Sequence, residues 1–144
     1  MTKINLLYLA ATVFVFFILT NSSANDENSL MKYYKNGQAT ELPSMDNDGV
    51  NAFIKDVVFS NDPDSPIVCG LFRMEKGAPL EYTYTYDDVK IILEGEMTIS
   101  EEGGATIEAW PGDIFLYKEG AKVTFASNSS GLGFYCGQRS ADEL

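Results

Sequence analysis

The chain has 144 residues, enough for one domain, and its formal net charge is −11, from 21 acidic and 10 basic side chains. The basic residues are scattered and form no stripe, which excludes nucleic acid and anionic membrane surfaces as expected partners. The acidic surplus indicates a solvated, soluble surface. The sequence contains no histidine, which excludes Ser-His and Cys-His nucleophilic catalysis.

The N-terminus carries a predicted secretory signal over residues 1–24. Lys3 precedes an almost wholly apolar run, Ile4 to Thr20, and small residues follow at Ser22 and Ala24. This order is typical of a signal peptide, here cleaved after Ala24. An uncleaved anchor is the alternative, because the run is at the short edge of what spans a bilayer. With cleavage, no membrane association is expected.

The C-terminus carries a second targeting feature. Residues 140–144 are Ser-Ala-Asp-Glu-Leu, and the last three match endoplasmic reticulum retrieval signals, with Ala141 where Lys or His is usual. A chance acidic tail and release from the cell are the alternatives. Asn128, in Asn-Ser-Ser, is a predicted glycosylation acceptor in a polar turn. We expect the protein in the endoplasmic reticulum lumen or outside the cell.

Residues 25–32 form a polar segment, and a single domain is predicted over residues 33–139. Short strand-like stretches recur in it between turn signals, and no stretch outside the signal shows capped helical periodicity. This pattern predicts an all-β sandwich or barrel. The predicted strands are an edge strand starting at 32–34, then 50–60, 67–74, 81–86, 89–100, 105–110, 114–120, 122–127 and 132–139.

Two cysteines, Cys69 and Cys136, lie in apolar strand-like stretches. In an oxidising compartment they are a candidate disulfide. Two buried free thiols are the alternative.

The stretches GAPLEYTYTYDDVKIILEGEMTI and WPGDIFLYKEGAKVTF resemble the two motifs of cupins. In this alignment the acidic ligand of the first motif falls on Asp88. Its two histidines fall on Tyr82 and Tyr84, or on Glu81 and Thr83 if the gap is one residue longer.

The chain more closely resembles the histidine-poor cupins of the ethanolamine-utilisation protein Q type. The matching residues are Tyr-Asp-Asp at 86–88, Leu-Glu-Gly-Glu at 93–96, the stretch PGDIFLYKEG, and Val123 in place of a histidine. The resemblance implies a single antiparallel jelly-roll β-barrel over residues 33–139. It also implies a homodimer paired through an edge strand.

The resemblance gives no histidine ligands for a metal, so the predicted cofactor is none. Asp88, Asp87 and Glu81 offer only carboxylate oxygens, which would hold a hard divalent cation weakly. Metal-assisted chemistry through these oxygens is the alternative.

Asp88 is the predicted acid or base, because a carboxylate inside an apolar barrel should have a raised pKa. Tyr84 and Tyr86 are predicted to act with it, and Tyr82, Glu81 and Tyr117 to contact a substrate. Residues alternate along a strand, so either the tyrosines or Glu81, Thr83 and Thr85 point inward. A structural role for Asp88 is the alternative. Glu94 and Glu96 flank a predicted tight turn at Gly95 and are predicted to be solvated.

The predicted function is binding of a small organic molecule in the barrel, with acid–base chemistry of the isomerase, lyase or hydrolase type. A barrel that binds a ligand without turnover, or that is purely structural, is the alternative.

Overall fold

The computed structural model describes residues 29–60 and 62–141. In this part of the chain, nine β-strands alternate with turns, and the helical structure is one short 3-10 turn at Gly37–Ala39. The strands are β1 (Ala52–Phe59), β2 (Val68–Glu75), β3 (Leu80–Thr83), β4 (Asp88–Gly95), β5 (Met97–Glu101), β6 (Thr106–Ala109), β7 (Ile114–Tyr117), β8 (Lys122–Ala126) and β9 (Ser130–Gly137). The all-β prediction is confirmed.

The strands form two antiparallel sheets that enclose one core. The five-stranded sheet has the order β1-β2-β9-β4-β7, and the four-stranded sheet has the order β3-β8-β5-β6. Neighbours in a sheet are mostly distant in sequence, as in a jelly roll. Both sheets turn an apolar face inward, and those faces supply the buried core.

The predicted long strand 89–100 is two strands in different sheets. β4 ends at Gly95, which has a φ of 68°, and β5 starts at Met97. A Cβ added at Gly95 would lie 1.9 Å from the carbonyl oxygen of Ser130, so this corner requires glycine. Glu96 stabilises the corner, because its carboxylate accepts hydrogen bonds from the Ser127 hydroxyl at 2.7 Å and the Asn128 amide at 2.8 Å. Glu96 is partly exposed, and its role at the corner is one that the sequence does not predict.

A disulfide joins β2 to β9. Cys69 and Cys136 are directly opposite each other in the strand register, with Cα atoms 4.1 Å apart. The bond closes a separation of 67 residues.

The chain divides into an N-terminal unit, residues 1–35, and a barrel unit, residues 36–144. In the described part of the N-terminal unit, the Ser29 hydroxyl donates to the Met31 carbonyl at 2.9 Å. Residues 32–34 form no strand, so the predicted edge strand there is wrong. No helix in the described ranges is long and apolar enough to cross a membrane. The predicted signal peptide and the Asp-Glu-Leu terminus lie outside those ranges.

Candidate functional site

The tyrosines of residues 82–86 point into the barrel. Tyr84 is only 4% exposed and Tyr82 and Tyr86 are half-buried, whereas the residues between them are exposed. Glu81 is also exposed, on the outer face of β3. The prediction that Glu81 contacts a substrate inside the barrel is therefore wrong.

The tyrosines form a connected aromatic group. The hydroxyls of Tyr82 and Tyr86 are hydrogen bonded at 3.0 Å. The Tyr84 ring meets Tyr82 edge-on at 4.9 Å and stacks on Tyr117 at 4.7 Å. Tyr117 is buried behind Tyr84, and its hydroxyl has no hydrogen-bond partner. Tyr117 thus packs against Tyr84 from the core. The prediction that Tyr117 contacts a substrate is therefore wrong.

Asp88 lies inside the barrel beside a second buried charge, Lys90. The two residues alternate with Val89 on β4, so both point inward. The Lys90 Nζ lies 3.7 Å from Asp88 Oδ1, and the two side chains are 6% and 3% exposed. This oxygen of Asp88 has no hydrogen-bond partner.

Three aromatic rings surround the amino group of Lys90. Its Nζ lies 4.7 Å from the ring centre of Tyr135, 5.2 Å from that of Phe72 and 5.9 Å from that of Phe125. Ring faces attract a cation, and they do so more strongly where water is excluded. The position is therefore built to hold a positive charge next to one carboxylate.

Burial moves the two charged groups toward neutrality. It raises the pKa of Asp88, and the nearby Lys90 opposes this shift. It lowers the pKa of Lys90, and Asp88 opposes that shift. The two pKa values therefore approach each other, which makes proton transfer between the groups easier than it would be in water.

Glycines of β9 make room for the pair. A Cβ at Gly133 would lie 3.2 Å from Cδ and Cγ of Lys90. A Cβ at Gly137 would lie 2.9 Å from the Tyr86 ring and 3.2 Å from Asp88 Oδ2. The glycines thus leave space for the side chains of β4 to lie flat against β9.

Arg139 and Asp56 form a second buried ion pair at the same end of the barrel. The guanidinium donates to both carboxylate oxygens, at 2.8 Å and 3.0 Å, and the Tyr135 hydroxyl donates to Asp56. The Arg139 carbon Cζ lies 5.5 Å from the centre of the Tyr86 ring. The Nε of Arg139 is buried without a hydrogen-bond partner.

These groups border a small cavity. Its volume is about 40 Å³, and its polar lining comes from Asp88, Lys90 and Arg139 together with tyrosine hydroxyls. One water molecule needs at least about 10–15 Å³ of such space, so roughly three water molecules or a ligand of similar size would fill the cavity. The lining tyrosines are Tyr82, Tyr84, Tyr86 and Tyr135.

The remaining predicted ligands lie elsewhere. Asp87 points away from the cavity and accepts hydrogen bonds from Lys118 Nζ at 2.8 Å and the Glu119 amide at 2.9 Å. Asn128 is exposed on the turn before β9. Within residues 29–60 and 62–141, no group of three or more cysteine or acidic side chains is placed to hold a metal ion.

Comparison with known proteins decides the family. The family model for the ethanolamine utilisation protein EutQ matches residues 23–137. The chain belongs to the EutQ family. Its jelly roll is shared with a cupin superfamily protein from Desulfitobacterium hafniense, at 15% identity and a TM-score of 0.55, over 76% of this chain and 92% of that one.

Two relatives within the EutQ group show how far the likeness extends. A structure assigned to EutQ from Salmonella typhimurium LT2 is 25% identical, with a TM-score of 0.60, over 74% of this chain and 84% of that one. The acetate kinase EutQ of Escherichia coli K12 is 31% identical over 71 residues, which are 49% of this chain and 30% of that protein. The chain thus covers less than a third of this relative's length.

Proposed function

We propose that this EutQ-type cupin binds a small polar organic molecule in the barrel cavity and moves a proton on it. Asp88 is the acid or base, and Lys90 is its charge partner. The observation that carries the proposal is the buried Asp88–Lys90 pair, whose Asp88 Oδ1 lacks a hydrogen bond at the cavity. A buried acceptor left without a donor is costly unless a bound molecule supplies one.

The chemistry follows from the protonation states that the site favours. Burial raises the pKa of Tyr84 and of Tyr86 beyond the ordinary tyrosine range, so both remain neutral donors near pH 7. Tyr84 and Tyr86 can therefore donate to an oxygen of the ligand while Asp88 removes a proton from a neighbouring carbon or oxygen. This arrangement suits isomerisation or elimination. It also suits hydrolysis if Asp88 takes the proton from a water molecule whose oxygen attacks the ligand.

A tight ligand-binding role without turnover is the second candidate. It is favoured by the small cavity volume and by the deep burial of its polar groups. The two candidates differ in what Asp88→Asn does. An enzyme loses turnover, whereas a binder keeps its ligand.

The proposal uses no histidine-ligated metal, because the sequence contains no histidine. A weak oxygen-ligated divalent cation is the alternative, and metal analysis of the purified protein distinguishes the two. The kinase activity named for the Escherichia coli relative is not part of the proposal, because the match covers 30% of that protein.

The proposed setting is the secretory pathway, in the endoplasmic reticulum lumen or outside the cell. The support is the apolar N-terminal run, the Asp-Glu-Leu terminus and the acceptor Asn128. We propose a homodimer, no nucleic-acid partner and no membrane association after signal cleavage.

The test of catalysis is solvent deuterium exchange into a panel of two- to four-carbon aldehydes, ketones and hydroxy compounds, followed by NMR. We expect the protein to accelerate exchange at carbon next to a carbonyl, and Asp88→Asn to abolish the acceleration. Asp87→Asn, next in sequence but facing outward, is the matched control and should retain it. Equal rates with wild type, Asp88→Asn and no protein would contradict the catalytic proposal.

A further inference from the structure

We infer that Lys90 is a covalent attachment point for a small aldehyde or ketone, which it binds as an imine. The inference rests on the proposed function and specifies its substrate class. Nothing in the lysine's sequence context, a mostly apolar strand whose other charged residues are Asp88 and Glu94, predicts such a role.

The position of the amino group is the first argument. Lys90 lines the cavity, and its Nζ is 3.7 Å from Asp88 Oδ1. This separation is longer than an ordinary N–H···O hydrogen bond, so the amine is close to a proton acceptor without being locked to it. A lysine that is desolvated in an apolar pocket is a usual setting for imine chemistry.

The charge balance of the site is the second argument. Asp88 takes a proton from the Lys90 ammonium, and the free amine attacks the carbonyl carbon to form a carbinolamine. Asp88 then returns the proton to the departing hydroxyl, and water leaves. The ammonium and the aldehyde thus become an iminium and one water, and Asp88 is again a carboxylate.

The aromatic rings suit both ends of this reaction. The ammonium and the iminium each carry one positive charge at the same place. The faces of Tyr135, Phe72 and Phe125 and the Asp88 carboxylate therefore stabilise both species. The net charge inside the barrel is therefore the same before and after the reaction.

The cavity sets the size of the carbonyl compound. A volume of about 40 Å³ holds roughly three water molecules, which corresponds to a carbonyl compound of one to three carbons. Arg139 Nε, which lacks a hydrogen-bond partner, can donate to a hydroxyl next to the carbonyl. A small hydroxyaldehyde therefore fits the polar groups better than a plain alkyl aldehyde.

The experiment is reductive trapping. The full chain is treated with limiting glycolaldehyde and sodium cyanoborohydride at pH 7, and each lysine is scored by peptide mass spectrometry. We expect the hydroxyethyl adduct at Lys90 to form at least about tenfold faster than at the exposed Lys118. The Lys90 amine borders the cavity at 3.7 Å from a proton acceptor, whereas the Lys118 amine is in solvent and bound to Asp87 at 2.8 Å.

Controls make every outcome decisive. The same reaction in denaturant should label Lys90 and Lys118 alike, which shows that both peptides are detected. Labelling of Lys118 but not Lys90 in the native protein would overturn the inference. Saturable binding of ethylene glycol, a non-carbonyl analogue, is measured on the same sample. This measurement distinguishes a failure of imine formation from a failure of ligand binding in the cavity. Binding without trapping refutes imine formation alone, whereas neither binding nor trapping refutes the proposed function as well.

Discussion

The buried Asp88–Lys90 pair gives a prediction about stability that depends on both partners. At the observed 3.7 Å, the attraction is about 4–5 kcal/mol for an effective dielectric constant near 20. The desolvation of two ions is of similar size, several kcal/mol for each. The pair as a whole should therefore contribute little net stability, while the loss of either partner alone should be strongly destabilising.

In each single variant, the loss of unfolding free energy has an upper limit, because the remaining charged side chain can become neutral by gaining or losing a proton. In Asp88→Asn, Lys90 can escape its unpaired charge by releasing a proton, and from an ordinary pKa of 10.5 this costs about 5 kcal/mol at pH 7. In Lys90→Met, Asp88 can take up a proton, and from an ordinary pKa of 3.8 this costs about 4 kcal/mol. We expect each single variant to lose about 3–5 kcal/mol. The double variant should lie within about 1.5 kcal/mol of the wild type.

The stabilities of the two single variants should change with pH in opposite directions. A lysine with a lowered folded-state pKa gains stability as the pH rises, so Asp88→Asn should recover by up to about 1.4 kcal/mol per unit toward pH 10. A carboxyl group with a raised pKa gains stability as the pH falls, so Lys90→Met should recover toward pH 4. The double variant is the reference, because it contains neither titrating group.

The assay is urea unfolding followed by circular dichroism between pH 5 and pH 9, with the disulfide intact. Losses below about 1 kcal/mol in both single variants, with slopes equal to that of the double variant, would show that the pair is hydrated and not buried as described.

The other predictions concern the surroundings of the site. Gly137→Ala should destabilise the fold by about 1–3 kcal/mol, because its methyl group meets Tyr86 at 2.9 Å, whereas Gly104→Ala meets the flexible Glu101 side chain and should have less effect in the same unfolding assay. Replacing Cys69 and Cys136 by serine should lower the unfolding free energy by about 2–4 kcal/mol, and an unchanged value would contradict the disulfide. Asn128→Gln should remove a glycosidase-sensitive shift on a gel when the protein passes through a secretory host. Metal analysis of the wild type should find no stoichiometric ion, and an ion that is lost in Asp88→Asn would point to an oxygen-ligated site instead.

The strands could be predicted from the sequence because their signals are local. Alternating apolar residues and the turns after Pro111 and before Val50 set most boundaries within a few residues. The tight turn at Gly95 follows from the sequence, but the change of sheet there does not, because apolar residues resume after Glu96 in the same strand-like pattern. Only the close approach of Ser130, from a distant strand, makes the glycine a corner.

The site could be predicted only in part. Asp88 and the tyrosine face follow from the motif and from the period of two, and the same period places Lys90 inside once Asp88 is inside. Lys90 is one of the scattered basic residues, and no role is predicted for it from the sequence, because a lysine is rarely buried. Arg139 and Asp56 are 83 positions apart, and their contact depends on the pairing of β1, β2 and β9. No local pattern contains that information.

The most direct test of the account is methyl NMR of the full chain during titration with small hydroxy and carbonyl compounds. The methyl groups of Met45 and Ile54 border the cavity, whereas that of Ile114 is exposed on the outer surface. We expect saturable shifts at Met45 and Ile54, reduced in the Asp88→Asn/Lys90→Met double variant, with no change at Ile114. Absence of any saturable shift at the cavity methyls, or shifts confined to Ile114, would contradict the claim that the barrel interior is a binding site.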